Sequence, residues 1–352
     1  MMGKKFLMKG NEALAEAAIR AGCRHFFGYP ITPQTEVAAY MAKQMPKIGG
    51  TYLQAESEVA AINMVLGAAA AGARAMTSSS SPGISLKTEG ISYIIGSDLP
   101  CVIVNVMRGG PGLGGIQPSQ SDYWQATRAL GHGDGHALVL APSSIQEIVD
   151  LMGKAFDLAE EYRMPAMILA DGMLGQMMEP VEFSKGEYQE HQKPWALTGH
   201  KNKRPPNIVN SLYLNPSELE QTILDRFDRY RLIEEKETMA ESFLMEGAEY
   251  GVTAYGIAAR VAKTAVLAAR EEGIKVGLIR PITLWPFPKT EFAAFQELCG
   301  VLCVELSMGQ MVEDVRLAVN GRCPVEFVGH TGGVVPTPDE VLGAIRKMAG
   351  VS

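Results

Sequence analysis

The sequence is poor in cysteine and contains no CxxC pair. Its five cysteines are scattered at positions 23, 101, 299, 303 and 323. An odd number of unpaired cysteines argues against a disulfide framework, and the missing CxxC argues against an iron-sulfur cluster held by this chain. We therefore expect a reducing, cytoplasmic environment.

The sequence also lacks the long apolar runs and the basic runs that membrane and nucleic-acid partners require. No apolar run reaches about 18 residues, the length that suggests a membrane span, and Met1–Gly10 lacks the apolar segment of a signal peptide. Lys and Arg total 32 against 39 Asp and Glu, a net charge of −7. No basic run could follow a phosphate backbone, so neither membrane nor nucleic acid is expected as a partner.

The remaining composition is that of a globular α/β chain. At 352 residues and 47% hydrophobic content, the chain can form about two domains with real cores. Ala-rich helical stretches alternate with short strand-like runs, which predicts a doubly wound, mostly parallel sheet. The predicted strands of the first part are His25–Gly28, Thr51–Gln54, Cys101–Met107, Ala137–Leu140 and Ala166–Leu169.

The domain organisation follows from a shift in composition. Residues 1–185 form the first predicted α/β domain, residues 186–245 a charged connection with a helix over Glu218–Glu241, and residues 246–352 a smaller α/β domain. The strands predicted for the second domain are Val252–Tyr255, Lys275–Ile279, Gly300–Glu305 and Val325–Gly329.

Unusual loops follow several of the predicted strands. Thr32 before Pro33 is typical of a helix N-cap, and Ser143 and Ser144 precede another amphipathic helix. Because open α/β sheets bind ligands at the carboxyl ends of their strands, we expect the site among the loops 28–33, 77–85 and 108–122.

Two glycine motifs suggest cofactors but fit them poorly. Gly110, Gly112 and Gly115 match GxGxxG after a strand, yet Ile116–Ser119 does not open a helix, so a nicotinamide-dependent dehydrogenase stays a secondary alternative. The GDG at 133–135 resembles the diphosphate motif of thiamine-diphosphate enzymes, but the asparagine expected about 30 residues later is missing. A turn is favoured there, with His132, Asp134 and His136 as a weaker candidate metal site; we assign no metal ligand to this chain.

Glu56 and Glu58 lie at the start of a predicted Ala-rich helix. Taken alone, their spacing is best explained by the favourable interaction of carboxylates with the positive end of a helix dipole. The surrounding motifs favour a further role for one of them.

Several segments together resemble the α subunit of 2-oxoacid:ferredoxin oxidoreductases over nearly the whole chain. These segments are Gly28–Pro33, Ser57–Glu58, Ser81–Leu86, Val104–Pro111 and Gln120–Asp122. Within that family the sequence is most similar to the branched-chain type, which acts on 3-methyl-2-oxobutanoate (2-oxoisovalerate), and the 2-oxoglutarate type remains the alternative.

The resemblance implies an enzyme whose active site is shared between subunits. Residues 1–185 would be the pyrimidine-side thiamine-diphosphate domain, and the last domain is similar to the transketolase C-terminal domain. A β subunit would hold the diphosphate, Mg²⁺ and an iron-sulfur cluster, with γ and ferredoxin-like δ subunits beside it. The implied reaction is oxidative decarboxylation of a branched-chain 2-oxoacid to its acyl-coenzyme A with reduction of ferredoxin.

The resemblance also assigns residues. Glu58 matches the glutamate that bonds N1′ of the aminopyrimidine, and a buried position that raises its pKa would suit this role. Thr32 and Arg108 match positions that contact the substrate carboxylate, although Thr32 could instead cap a helix and Arg108 could pair with an acid at an interface. The residues implied to contact the cofactor are Tyr29, Pro30, Ile31, Ser81 and Gly83, beside Glu58. A non-catalytic scaffold subunit is the alternative from another class.

Overall fold

The computed structural model describes residues 4–183, 192–294 and 298–351. The strands are β1 (Lys5–Lys9), β2 (His25–Gly28), β3 (Thr51–Gln54), β4 (Ala75–Ser79), β5 (Cys101–Met107), β6 (Leu138–Leu140), β7 (Pro165–Asp171), β8 (Met178–Glu182), β9 (Ala240–Phe243), β10 (Tyr250–Thr253), β11 (Val276–Pro281), β12 (Thr283–Trp285), β13 (Gly300–Glu305) and β14 (Val325–Gly329). The helices are α1 (Gly10–Arg20), α2 (Thr35–Gln44), α3 (Glu58–Ala70), α4 (Pro82–Gly96), α5 (Tyr123–Arg128), α6 (Ile145–Tyr162), α7 (Gly172–Gln176), α8 (Pro216–Lys236), α9 (Gly256–Glu271), α10 (Lys289–Ala294), α11 (Met311–Val319) and α12 (Pro338–Met348).

A seven-stranded sheet in the order β12-β6-β7-β5-β4-β2-β3 carries the first part of the chain. Its central strand β5 is buried throughout, as expected for a parallel strand covered on both faces. Alternate residues serve two cores: Val102 and Val104 pack in the core that includes α1 and α6, whereas Cys101 and Ile103 pack in the core that includes α3 and α4. The doubly wound architecture is confirmed.

A five-stranded sheet in the order β14-β13-β10-β11-β9 forms the second part. All of its pairings are parallel except that of β9 with β11. The strand β9 lies within the stretch expected to be a connection, so the second sheet begins before residue 246. The predicted boundary between residues 185 and 186 lies outside the described residues.

One strand crosses between the two parts. The strand β12 follows β11 in sequence but pairs antiparallel with β6, at the edge of the first sheet. The side chain of Gln120 joins the two parts as well: it donates to the Tyr255 carbonyl at 2.7 Å and accepts from the Leu306 amide at 3.0 Å. The two sheets are therefore tied by backbone pairing and by a buried amide.

The two predicted helix starts have different outcomes. Ser144 caps α6 by accepting from the Glu147 amide at 3.1 Å, as predicted. The prediction for Thr32 is wrong, because α2 begins at Thr35 with Gln34 at the N-cap. The Thr32 carbonyl instead accepts a hydrogen bond from Arg108, which holds this residue in the loop.

Two further structural observations concern membranes and metals. Among the residues 4–183, 192–294 and 298–351, no helix combines the length and apolar character needed to cross a membrane. Within the same ranges, no cluster of three or more His, Cys, Asp or Glu side chains could hold a metal ion. His136, from the weaker candidate metal site, stacks on Trp285 with ring centroids 4.6 Å apart.

Candidate active site

Glu58 is the first residue of α3 and is buried, with 5% of its surface exposed. Ser57 caps the helix by accepting from the Ala60 amide at 3.2 Å, which fixes the backbone on either side of Glu58. Glu56 is exposed, as expected from its position two residues earlier. Among the described residues, no donor forms a hydrogen bond with the Glu58 carboxylate, so its acceptor atoms remain available to a ligand.

The amino end of α4 lies directly against Glu58. A Cβ atom added to Gly83 would lie 2.7 Å from Glu58 Oε1 and would also collide with Ser79 Oγ. Contacts this short do not occur at real side chains, so only glycine allows α4 to approach the carboxylate. The absence of a side chain at Gly83 therefore lets the backbone of α4 form a wall of the site beside Glu58.

Ser81 has a strained backbone, with φ of 22° and ψ of −81°. Its amide donates to Asn105 Oδ1 at 3.1 Å, and its hydroxyl donates to Asp122 Oδ2 at 2.6 Å. The same hydroxyl accepts from the Arg108 amide at 3.0 Å. Such strain costs on the order of 1–3 kcal/mol and persists where the surroundings over-determine it, and here three neighbours hold it.

Arg108 and Thr32 are in contact although they are far apart in sequence. The guanidinium donates to the Thr32 carbonyl at 2.9 Å and to the Thr32 hydroxyl at 3.4 Å, and its other terminal nitrogen donates to the Leu113 carbonyl at 3.1 Å. Arg108 is buried and its Nε has no partner among the described residues. The described partners of the guanidinium are neutral, which leaves its positive charge uncompensated in a buried position.

The loop that leads to Thr32 presents its side chains outward. Tyr29 and Pro30 are exposed and Ile31 is half-buried. Gln34 holds this loop through its side chain: Nε2 donates to the Tyr29 carbonyl at 3.4 Å, and Oε1 accepts from Ser78 Oγ at 2.5 Å. No local sequence pattern identifies Gln34 as a residue with this role.

Asn105 and Asp122 were part of the recognised motifs but were assigned no function. Asn105 Nδ2 donates to Asp122 Oδ2 at 2.9 Å. Burial raises the pKa of Asp122, although the hydrogen bonds from Ser81 and Asn105 oppose the rise. A signal for Asn105 was present in the sequence, because a polar residue inside an otherwise apolar strand needs a buried partner.

A cavity of about 630 Å³ lies next to Thr32. Its wall combines apolar side chains with a few polar ones, as is usual for small-molecule sites. The lining includes Thr32, Glu36, Ile116, Gln117, Met173 and Gln176. Although burial opposes it, hydrogen bonds from Gln176 and Asn11 and the charge of Lys9 lower the pKa of Glu36.

The two glycine motifs do not form cofactor sites of the expected kinds. After β5 the chain runs as a loop to Ser121, and the next helix begins at Tyr123. The last glycine of the GxGxxG match therefore opens no helix, which a dinucleotide site requires. The GDG at 133–135 lies in a bend that leads from α5 toward β6, in agreement with the predicted turn.

Comparisons with known proteins cover the whole architecture. Residues 16–240 match the family described as pyruvate flavodoxin/ferredoxin oxidoreductase, thiamine diphosphate-binding, and residues 248–341 match pyruvate:ferredoxin oxidoreductase core domain II. The ketoisovalerate oxidoreductase subunit VorB of Methanothermobacter thermautotrophicus is 49% identical over 98% of both chains. The 2-oxoglutarate synthase subunit KorA of the same organism is 38% identical over 99% of this chain and 100% of its own length.

Solved structures agree with these matches. The 2-oxoglutarate:ferredoxin oxidoreductase of Magnetococcus marinus, solved with 2-oxoglutarate, coenzyme A and succinyl-CoA bound, superposes with a TM-score of 0.89 at 29% identity, over 98% of this chain and 65% of that chain. A split-gene transketolase superposes with a TM-score of 0.60 at 14% identity and shows the shared fold alone. The chain belongs to the pyruvate flavodoxin/ferredoxin oxidoreductase family, the 2-oxoacid:ferredoxin oxidoreductases, whose thiamine-diphosphate-binding domain it carries.

Proposed function

We propose that the chain is the α subunit of a 2-oxoacid:ferredoxin oxidoreductase that decarboxylates 3-methyl-2-oxobutanoate. The products would be the acyl-coenzyme A, CO₂ and reduced ferredoxin. The observation that carries the proposal is a buried glutamate whose carboxylate has no hydrogen-bond donor among the described residues, at a helix start within the match to the family's thiamine-diphosphate domain. The similarity to ketoisovalerate oxidoreductase subunits supports the branched-chain substrate.

The residues present fit thiamine diphosphate on the aminopyrimidine side. Unpaired polar atoms in the described structure, Ser79 Oγ and Ser80 Oγ, lie in the same region as the free carboxylate of Glu58. The missing side chain at position 83 lets α4 pack directly against that carboxylate. Tyr29, Pro30, Ile31 and Ser81 complete the proposed contacts to this half of the cofactor.

Glu58 would hold a proton for N1′ of the aminopyrimidine, and its buried carboxylate is suited to sharing that proton. Thiamine diphosphate, when bound, supplies the nucleophilic carbon and the electron sink for decarboxylation. Arg108 and the Thr32 hydroxyl would bind the substrate carboxylate, because a buried guanidinium with uncompensated charge favours an anion.

The remaining half of the site would come from partner subunits. The relatives are themselves named as subunits, and we propose a β subunit that holds the diphosphate, Mg²⁺ and an iron-sulfur cluster, with γ and ferredoxin-like δ subunits. No glycine motif of the described chain forms a diphosphate site of the GDG kind. The site would therefore be complete only in the assembly.

The experiment that tests the function uses the complex purified with its natural partners. Turnover is measured anaerobically with a viologen acceptor and coenzyme A, using 2-oxoisovalerate, 2-oxoglutarate and pyruvate in parallel. The proposal expects 2-oxoisovalerate to have the highest kcat/KM. A clear preference for 2-oxoglutarate would select the 2-oxoglutarate type, which the similarity to KorA subunits keeps as the second candidate.

Glu58→Gln separates an enzyme subunit from a scaffold. The variant keeps the shape of the side chain but cannot share the N1′ proton, so we expect intact assembly and a loss of turnover of about 10²-fold or more. The exposed Glu56→Gln is the matched control and should keep wild-type turnover. Near-normal turnover in Glu58→Gln would contradict the assignment of Glu58 as the catalytic residue and would favour the non-catalytic scaffold alternative.

A further inference from the structure

A lysine that none of the proposed steps uses lies fully buried beside Glu58. Lys87 is in α4 and has no exposed surface. A lysine in the interior is uncommon, because its ammonium loses solvation that few neighbours can replace. Its burial therefore needs an explanation in the packing around it.

The close packing of α4 against α3 places Lys87 in the interior. Gly83, Lys87 and Gly90 are spaced four and three residues apart, so they share one face of α4. A Cβ at Gly83 would lie 2.7 Å from Glu58 Oε1, and one at Gly90 would collide with the Ile62 side chain. The face of α4 that carries Lys87 is therefore the face that contacts α3, and the lysine lies between two glycines at that contact.

The ammonium bonds the backbone of the proposed catalytic residue. Lys87 Nζ donates to Thr77 Oγ1 at 3.1 Å and to the Glu58 carbonyl at 3.5 Å. These oxygen atoms are neutral, so neither balances the charge of the ammonium. Burial lowers the pKa of Lys87 to about 8, and the negative charge of Glu58 opposes that fall.

We propose that Lys87 is a positioning residue that acts through Glu58: its ammonium holds the first turn of α3 by the Glu58 carbonyl and so fixes where the Glu58 carboxylate lies. Hydrogen bonds from charged donors are stronger than those between neutral groups, so a buried ammonium is suited to hold this carbonyl in place. This role rests on the proposed function.

Two variants separate the charge of Lys87 from its packing. Lys87→Met keeps the length of the side chain and removes the charge, whereas Thr77→Val keeps the charge and removes one of the same hydrogen bonds. Both positions are fully buried. Each variant is prepared in the complete complex, and the thermal midpoint of assembly is recorded beside the kinetics.

The measurements are cofactor affinity, the near-ultraviolet circular dichroism of the bound aminopyrimidine, and kcat and KM for the 2-oxoacid. For Lys87→Met we expect an altered dichroism band and a fall of about tenfold or more in kcat, because the first turn of α3 loses a hydrogen bond from a charged donor and Glu58 moves away from its position beside N1′. KM should change little, since the described hydrogen bonds of Lys87 go to Glu58 and Thr77 and not to Arg108 or Thr32. Thr77→Val should keep the wild-type band and, within about threefold, the wild-type kcat.

Several results would overturn the proposal. A wild-type dichroism band and kcat in Lys87→Met would exclude a positioning role, and equal losses in both variants would assign Lys87 to packing alone. If Lys87→Met fails to assemble, Lys87→Arg provides the test. Because this variant retains the positive charge, the proposal requires it to keep the wild-type dichroism band. A wild-type complex that neither binds thiamine diphosphate nor turns over any 2-oxoacid would instead refute the proposed function.

Discussion

At the scale of single residues, the shape of the candidate site depends on one missing side chain. Gly83→Ala would place a methyl group against Glu58 Oε1 and Ser79 Oγ. We expect the methyl group to displace the carboxylate, lowering turnover of the complex by about tenfold or more, and to cost about 1–3 kcal/mol of stability through overpacking. Steady-state kinetics and thermal unfolding measure the two effects.

Gly67→Ala is the matched control for that substitution. Gly67 lies in α3, is exposed, and a Cβ there would meet no atom within 4 Å. Because alanine has the higher helix propensity, this variant should be neutral or more stable by up to about 1 kcal/mol. Equal kinetic losses in both variants would show that the contact between Gly83 and Glu58 does not matter.

At the scale of elements, Asp171 joins the end of one strand to the starts of two helices. Its carboxylate accepts from the amides of Met173 and Leu174 in α7 at 2.9 and 3.0 Å, and from the Ile257 amide in α9 at 3.4 Å. Burial raises its pKa from 3.8 to about 6, although the three amides oppose the rise. Between about pH 4 and pH 6, the folded state therefore holds a proton on Asp171 that the unfolded state has released.

The sign of the resulting pH dependence is opposite to that of a salt-bridged acid. Stability associated with Asp171 is fully present below about pH 4 and is lost as the pH rises to about 6, a change of about 3 kcal/mol. Asp171→Asn stays neutral, so its free energy of unfolding should lack this fall. Chemical denaturation across that pH range tests it, with the exposed Asp134→Asn as control; parallel curves for wild type and Asp171→Asn would contradict the account.

At the scale of the whole molecule, exposed apolar side chains surround the candidate site. We call them the apolar rim: Tyr29, Val59, Leu86, Leu113 and Ile116. Leu113 is 84% exposed while its carbonyl is held by Arg108. Exposed apolar groups beside a functional site can mark interaction surfaces, and the proposed β subunit would cover them where it completes the cofactor site.

Leu113→Glu tests the apolar rim as a subunit interface. A charge that must be desolvated on association should weaken binding of the partner subunits by about tenfold or more, without lowering the thermal midpoint of the free chain. Leu267→Glu, on the exposed face of α9, is the control. Size-exclusion chromatography of mixed subunits measures the effect, and unchanged association of the Leu113 variant would place the interface elsewhere.

Much of the fold could be predicted because its signals are local. The strands β2, β3 and β5 have the predicted bounds. For β5 the physical reason is a short apolar run that is buried on both faces of the sheet. The start of α6 was predicted from Ser143 and Ser144, because a helix cap is also a local signal. The strands β1 and β12 were not predicted, because their partners β8 and β6 lie far away in sequence and short edge strands carry little pattern of their own.

The sequence by itself determined the alternation of helices and strands, the family and the motif residues Glu58, Thr32 and Arg108 as candidates. Only the tertiary structure decided that Arg108 contacts Thr32, that Gly83 lies against Glu58, and that Lys87 is buried beneath the same turn. Periodicity and capping depend on neighbours within one or two turns of chain. Contacts between residues tens of positions apart depend on how sheets and helices pack, and no local pattern encodes them.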